Sequence, residues 1–356
     1  MIVFDNIVFS LQSAGGISVV WYELLKRLLD SDEVELAFYE RPSNLGNFFR
    51  KKLIIPNNCI IAGKELWIVI ERYLNPRIKC REPFVFHSSY FRTCPNKNAI
   101  NVTTVHDFTY DYYRTGVAKL IHCWQRNMAI RHSDYIVCVS ENTKRDLLRF
   151  LPDIDESKVR VIYNGVSEDY HILDGEANYS QQPFAKKSYL VFVGSRTGYK
   201  NFDLLKKTVA KSPYNLVIVG SKLNSKEEED LKRYLPKERY CATGFLSNEQ
   251  LNIVYNNAAA LVYPSAYEGF GIPVLEAQRA GCPVIAYNGS SIPEVIGETP
   301  LLMNELTEKE LLSKIDLLSN RQIVNAVKIN GLENSKRFSW DKMYEGYMEL
   351  YKEALR

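Results

Sequence analysis

The run Tyr267-Glu268-Gly269-Phe270-Gly271-Ile272-Pro273-Val274-Leu275-Glu276-Ala277 sets two carboxylates around two glycines and a proline. It follows the strand-like stretch Ala260 to Tyr263 and leads into a helix expected to end near Gly281. Glycine lets a backbone approach a ligand closely. Pro273 suits the first helical position, where a missing N–H costs nothing. A helix starting here offers free N–H groups and partial positive charge to an anion such as phosphate. Glu268 stands just before that end and Glu276 about one turn inside it. Each carboxylate is then placed to accept hydrogen bonds from vicinal hydroxyls, so a sugar on one side of the anion and a ribose on the other would fit. Taken singly, Glu268 is an ordinary loop acid and Glu276 an offset to the helix dipole. Together, in a strand–loop–helix setting, they point to an anion site.

Such a loop needs strands and helices to hold it. Short apolar runs alternate with amphipathic stretches along the whole chain. Ile2-Val3-Phe4 with Ile7-Val8-Phe9 reads as a first strand, followed by Gly15-Gly16 and a helical stretch from Ile17 to Leu29. Val34 to Tyr39, Phe84 to Phe86, Val102 to Val105, Tyr135 to Val139 and Val159 to Tyr163 read as further strands. Lys119 to His132 and Asn142 to Phe150 read as helices, the latter with Ser140 as N-cap. This alternation predicts an α/β fold with parallel sheets covered by helices. The pattern pauses over the polar residues 167–187, read as a linker, and then restarts. Tyr189 to Val193, Leu216 to Val219, Tyr240 to Thr243 and Ala260 to Tyr263 end in Gly194, Gly220, Gly244 and Pro264, and Pro283 to Ala286 is a further strand. Ligands of doubly wound sheets bind outside such carboxyl ends. The expected division is a Rossmann-like domain over 1–170, a linker over 171–187 and a second Rossmann-like domain over 188–337. The two are expected to face one another across a cleft, with an amphipathic C-terminal helix over 338–356 packing back on the first domain.

Composition narrows the classes. The 356 residues are 46% hydrophobic and 24% charged, average for a soluble globular chain. Lys and Arg number 45 against 42 Asp and Glu, which gives no overall reason to expect nucleic acid as a partner. The seven cysteines are widely spaced with no Cys-x-x-Cys, so reduced thiols are expected rather than a metal cluster or disulfide frame. The start Met1-Ile2-Val3-Phe4-Asp5 does not read as a signal peptide, and no apolar run approaches a membrane span. The expected compartment is the cytoplasm.

Glu268-x7-Glu276 resembles the Glu-x7-Glu motif of retaining glycosyltransferases of the GT-B fold, in particular glycosyltransferase family 4. The resemblance extends from Gly15-Gly16 to the final helix and is strongest over 188–298. In Val193-Gly194-Ser195-Arg196-Thr197-Gly198-Tyr199-Lys200-Asn201 it implies that Arg196 and Lys200 clamp the donor diphosphate. A departing nucleoside diphosphate needs such cations, and Arg supplies a planar fork where Lys supplies a point charge. In Thr104-Val105-His106-Asp107 it implies that His106 lies near the reacting carbon, with Asp107 on the acceptor or holding His106. It implies that Gly15 and Gly16 approach the donor phosphates beside the acceptor site. Around the donor, Gly194 belongs to that diphosphate segment, the base is expected near Gly220-Ser221-Lys222 and Phe245-Leu246, and Gly269, Phe270, Gly271 and Ile272 are expected along the motif loop. Ile162 to Val166 and Gly289 to Val295 also match, and both are expected to be structural.

The resemblance carries a mechanism. No carboxylate is placed as a covalent nucleophile, which suggests retention with leaving group and acceptor on one face of the sugar. The departing phosphate then takes the acceptor's proton. Asp30-Ser31-Asp32 and Asp153-Ile154-Asp155 lie outside the strand-end setting of a metal-binding Asp-x-Asp. No essential metal and no cofactor are therefore expected beyond the nucleotide-sugar donor, which is a substrate. The implied reaction is hexose transfer from a nucleotide-diphosphate sugar to a saccharide or lipid-linked saccharide in cell-surface polysaccharide synthesis, leaning to a mannosyl donor. A nucleotide-sugar epimerase or phosphorylase of the same fold, or a non-catalytic nucleotide-sugar-binding module, are the competing readings. Residues 41–100 hold eleven Lys and Arg against three acids. That excess reads either as a solvated basic face or as a contact for the inner membrane surface and a lipid-diphosphate acceptor.

Overall fold

The computed structural model describes residues 1–31, 33–41, 46–64, 66–174 and 184–356. The chain divides into one unit of Met1–Gly165 with Trp340–Arg356, and a second of Val166–Ser339. The first unit holds seven parallel strands: β1 Ile2–Asp5, β2 Leu36–Glu40, β3 Ile60–Ala62, β4 Phe84–Ser88, β5 Ala99–Val105, β6 Tyr135–Cys138 and β7 Val159–Val161. Their order is β3-β2-β1-β4-β5-β6-β7. The second unit holds β8 Tyr189–Val193, β9 Asn215–Val219, β10 Tyr240–Gly244, β11 Ala260–Tyr263, β12 Val284–Tyr287 and β13 Leu302–Met303, in the order β10-β9-β8-β11-β12-β13. The winding reverses between β1 and β4 and between β8 and β11, and the carboxyl ends at such reversals are where ligands enter. Central strands covered on both faces need unbroken apolar runs, and Ile2, Val3 and Phe4 are fully buried. Ser140 caps the helix Glu141–Phe150 by accepting the Thr143 N–H at 3.0 Å.

The helix Trp340–Ala354 belongs to the first unit. Its Tyr351 hydroxyl lies 2.6 Å from His87 Nδ1, and His87 Nε2 lies 2.9 Å from Thr104 Oγ1. The Tyr347 hydroxyl meets the same Thr104 at 2.9 Å. Burial pushes His87 down to about 3, so its neutral ring keeps one donor and one acceptor nitrogen in this chain of bonds.

At the end of β1, fully buried Asp5 accepts from Arg92 Nε at 2.8 Å and from the Ser88 hydroxyl at 2.7 Å. Removing one partner of a buried pair leaves an uncompensated charge. Asp5→Ala is accordingly expected to destabilise the protein by about 3–5 kcal/mol in urea unfolding. A loss below about 1 kcal/mol, the size of an exposed pair, would contradict that reading.

Several expectations need correction. Ile7-Val8-Phe9 does not continue the strand: Val8–Leu11 is a helical turn. The chain turns because Asn6 is held between the Trp21 indole at 2.7 Å and Glu40 at 2.6 Å, while the Ser89 hydroxyl takes the Val8 N–H at 2.9 Å. The first unit ends at Gly165, not 170, and part of the supposed linker is held by the second unit. Tyr170, His171 and Leu173 bond to the side chains of Asn248, Asn252 and Asn256, and Lys187 donates to the Asn256 and Ala258 carbonyls. The remaining linker stretch 175–183 lies outside the described residues, as do Asp32, residues 42–45 and Glu65. Cys94, Cys138 and Cys282 are buried free thiols, while the other four are only half-buried. The basic region is partly interior. Arg50 pairs with Glu40 at 2.7 Å, Arg92 with Asp5, and Arg41 with Glu71 at 3.0 Å.

Candidate functional site

The carboxyl ends of β8 and β11 are tied to each other by the backbone. The loop after β8 passes through the turn Gly198–Lys200 to Asn201, which has φ 52°. Asn201 donates to the Pro264 carbonyl at 2.9 Å, and the Ala266 N–H donates to the Tyr199 carbonyl at 2.8 Å. These bonds set Lys200 against Glu268, where the ammonium and carboxylate pair with both side chains largely buried. The Tyr263 hydroxyl also bonds Glu268, and burial beside that carboxylate raises the phenol well above its ordinary range. Ser290 accepts the Glu268 N–H at 2.9 Å, and the Ser291 hydroxyl lies 2.9 Å from the carbonyls of both Glu268 and Phe270. The segment after β12 thus shapes the motif loop, as a structural segment would.

Gly271 is the N-cap of the helix Ile272–Arg279, with φ 107°. A Cβ there would come 2.8 Å from Ile292 Cδ1, so only glycine fits both the dihedral and the space. Ile272 is the first helical residue and Pro273 the second, one place later than expected. No acid stands in the first turn of this helix, whose N-terminal end carries a partial positive charge. Phe270 turns inward against Phe338 with ring centroids 5.7 Å apart, which leaves its backbone as the part available to a ligand.

Glu276 follows one turn into the helix. The Tyr255 hydroxyl donates to it at 3.0 Å, and Tyr170 bonds it as well. Burial pushes the carboxyl up to about 7, against the pull of the two hydroxyls. A hydrogen-bonded carboxylate that titrates near neutrality is a feature of functional sites.

The neighbouring strand ends are built from backbone. The Gly194 N–H donates to the Val219 carbonyl at 3.0 Å and the Gly220 N–H to the Gly244 carbonyl at 3.1 Å. A Cβ on Gly220 would meet the Gly194 carbonyl oxygen at 2.7 Å. Phe245 follows with 83% of its surface exposed, a free aromatic face beside that row of glycines. Arg196 has partners of its own. Its guanidinium takes Glu227 at 2.9 and 3.0 Å, the Ser221 carbonyl at 3.0 Å and the Lys222 carbonyl at 3.1 Å. Glu227 also closes the capping box of the helix Ser225–Lys232, and the guanidinium holds its carboxyl below the usual range. In this arrangement each of the two expected clamp cations is held by a carboxylate of its own, Lys200 by Glu268 and Arg196 by Glu227.

In the first unit a cavity of about 200 Å³ opens where β1, β4 and β5 end. It is lined by Gln12, Ile17, Ser89, Tyr90, Phe91, Thr104, His106, Asp107, Tyr110 and His122. Burial lowers His106 to about 4 although Asp107 pulls the other way, so the imidazole is neutral near pH 7. Asp107 accepts the Thr109 N–H at 2.8 Å and so starts the next helix. Tyr110 stacks on His122 at 3.8 Å, and His122 Nδ1 lies 3.2 Å from the Tyr90 hydroxyl. Phe91 holds φ 31°, a strained dihedral at the cavity wall. Gly15 caps the helix Gly16–Leu29 in an extended conformation, and a Cβ on it would strike Gln12 Oε1 at 2.2 Å. Gln12 and Ile17, which flank the glycine pair in the chain, line the cavity; Gly15 and Gly16 themselves do not.

The fold therefore sets Lys200 of the loop after β8 against the motif loop and helix that carry Glu268, Gly269 to Ile272 and Glu276, puts Gly194, Gly220 and Phe245 at adjacent strand ends, and places His106 in the first unit's cavity. Sequence reasoning missed Tyr170, Tyr255 and Tyr263 around the two glutamates, and Tyr90, Phe91, Tyr110 and His122 in the cavity. The 23 tyrosines were the one available signal, without positions. Among the described residues no three His, Cys, Asp or Glu side chains converge in a metal-binding group.

Two sequence families match the chain. The family described as Glycosyltransferase Family 4 covers residues 14–170, and Glycosyl transferases group 1 covers residues 176–333. The O-antigen chain mannosyltransferase B of Escherichia coli is 25% identical, with 95% of this chain and 96% of the relative aligned. An uncharacterised glycosyltransferase of Methanocaldococcus jannaschii is 28% identical over 63% of this chain, and the chain spans only 61% of that relative's length. Among solved structures, Anabaena HepE in complex with UDP-glucose superposes with a TM-score of 0.72 over 99% of both chains. At 17% identity that likeness is one of fold, and the fold is GT-B.

Proposed function

The chain belongs to the glycosyltransferases of group 1 and family 4, and from that premise we propose that it moves a hexose, with retention of anomeric configuration, from a nucleotide-diphosphate sugar to a saccharide or lipid-linked saccharide acceptor. The single observation that carries this reading is the Lys200–Glu268 pair beside the glycine-opened helix Ile272–Arg279. A cation brought from the loop after β8 to the loop that opens a helix, with the helix's positive end, suits a departing diphosphate. Kinship with an O-antigen mannosyltransferase supports a mannosyl donor and a role in surface polysaccharide synthesis.

In this reading Glu268 holds Lys200 poised while the site is empty. Donor binding transfers the ammonium to the phosphate and frees the carboxylate for a hydroxyl of the sugar. Glu276 accepts the ribose diol, and Phe245 offers its face to the base. The aromatic walls of the first unit's cavity take the apolar face of the acceptor sugar. His106, being neutral, orients a hydroxyl rather than acting as a charged acid. The sugar–phosphate bond breaks as the acceptor oxygen approaches on the same face, and the leaving phosphate receives the acceptor's proton. Lys200 and the helix end supply the positive charge, and the reading assigns no step to a metal.

A thermal-unfolding screen of GDP-mannose, UDP-glucose and UDP-N-acetylglucosamine tests the donor, and proton NMR of the product's anomeric centre tests the stereochemistry. The expected outcome is stabilisation by one of these donors and a product anomer that matches it. No stabilisation by any nucleotide sugar, or an inverted product, would overturn the proposal.

A further inference from the structure

The helix Gly116–Arg131 is inside out for a protein that meets only water. Its buried side carries Gln125 and Arg126 beside Ala129 and Ile130. Gln125 Nε2 donates to the Arg72 carbonyl at 2.5 Å, and Arg126 pairs with Asp111 at 2.9 Å. Its outward side carries Val117, Leu120, Ile121, Trp124 and Met128, with Val117 69%, Leu120 68% and Trp124 59% exposed. Those positions recur at helical spacing, so they form one stripe. A water-facing helix normally shows the reverse arrangement.

The stripe has a neighbour. The Gln125–Arg72 bond joins this helix to the segment that contains the short helix Ile68–Glu71. That segment also turns large apolar groups outward: Trp67 is 79% exposed, with Val69, Ile70 and Leu74 beside it. An exposed apolar patch of this kind marks an interaction surface. Two tryptophans face out in it, and tryptophan favours the membrane–water boundary.

Charge selects the partner. Residues 114–131 contain no acid; of their four cations Arg126 is buried on Asp111 and Arg131 pairs with Asp153, which leaves Arg114 and Lys119 beside the stripe. The exposed Lys51, Lys52, Arg77, Lys79 and Arg81 belong to the same unit. Among the described residues next to these segments, Glu71 and Asp111 are committed inward, to Arg41 and Arg126. A two-fold contact between copies would bring the same cations together, whereas an anionic lipid surface complements them. No helix among the described residues is long and apolar enough to cross a membrane.

We propose that the outward stripe Val117, Leu120, Ile121, Trp124 and Met128, together with Trp67, Val69 and Ile70, is an interfacial docking surface for an anionic bilayer, with the helix Gly116–Arg131 lying in the plane of the headgroups. The helix is then the main insertion element, with Trp67, Val69 and Ile70 beside it, and the exposed cations of region 41–100 supply attraction. The inference stands on packing and charge, independently of which sugar is transferred.

Co-sedimentation of the full chain with vesicles tests it, comparing phosphatidylcholine alone with phosphatidylcholine containing about 30 mol% phosphatidylglycerol. Binding to the anionic vesicles is expected to be at least about ten-fold tighter, and to fall about ten-fold or more in a Leu120→Ser, Trp124→Ser double variant whose melting temperature is unchanged. Val117→Ser gives a second, milder test of the same stripe. Brominated acyl chains are expected to quench wild-type tryptophan fluorescence and to quench the double variant less. Failure to pellet with anionic vesicles, or equal pelleting of the wild type and the variants, would overturn the proposal. So would a dimer in light scattering that the double variant abolishes while vesicle binding is absent, since a second copy would then be what covers the stripe.

Discussion

Lys200→Ala is expected to lower turnover by about 10²–10³, the size of effect seen when one preorganised stabiliser of a departing anion is lost. The structure gives the reason for singling out this residue. Lys200 is anchored by the turn Gly198–Lys200 and by the Asn201–Pro264 bond, so its ammonium is delivered to the motif loop by backbone rather than by chance. Arg196 stands differently, locked onto Glu227 and the Ser221 and Lys222 carbonyls. Arg196→Ala is expected to act mainly on donor KM, because it unties the loop after β9. Steady-state kinetics of the two variants separate kcat from KM. A Lys200→Ala enzyme within about three-fold of wild-type turnover would remove the residue from the departing charge.

Glu276→Gln is expected to have two opposite effects. Affinity for a nucleoside diphosphate falls by about 10–100-fold, because the amide replaces a charged acceptor of the ribose diol. The ligand-free protein becomes more stable at pH 8. The carboxyl is raised from its ordinary 4.5 to about 7, chiefly by burial. The folded state thus binds this proton more tightly than the unfolded chain does. Its stabilising contribution is fully present below about 4.5 and is lost as pH rises through about 7. Above that range the buried charge costs roughly 3 kcal/mol, which the neutral amide avoids. The variant should therefore melt roughly 5–10 °C above wild type at pH 8 and nearly level with it at pH 4. Tyr255→Phe removes a hydroxyl that favours the ionised form, so the rise of nucleotide affinity with pH should move to higher pH. Scanning calorimetry and titration over pH 5–9 read all three effects. Ligand-free Glu276→Gln melting below wild type at pH 8 would contradict the assigned environment.

What could be read from sequence was what neighbouring residues determine. Strands ending in Gly194, Gly220, Gly244 and Pro264 were visible because apolar runs and turn residues are adjacent in the chain. Glu268, Gly271 and Glu276 were visible because a loop and a helix start keep fixed spacing. What was hidden depends on partners brought together by the fold. Glu227 lies 31 positions from Arg196, and no local pattern announces their pairing. Tyr170 falls in the polar stretch 167–187, which reads as a linker, yet its hydroxyl reaches Glu276. The cavity rings Tyr90, Tyr110 and His122 come from separate elements, and no local pattern relates them. The helix Gly116–Arg131 was legible as a helix, but periodicity alone does not say which of its faces meets solvent.

The central claim is that Lys200 and the Gly271 end of the helix Ile272–Arg279 receive a nucleotide diphosphate. A crystal structure of the protein soaked with GDP or UDP tests it most directly. The account predicts the distal phosphate within about 2.7–3.2 Å of Lys200 Nζ and of a backbone N–H at that helix end, with Lys200 released from Glu268. A nucleotide bound with its phosphates elsewhere, and Lys200 still on Glu268, would contradict it.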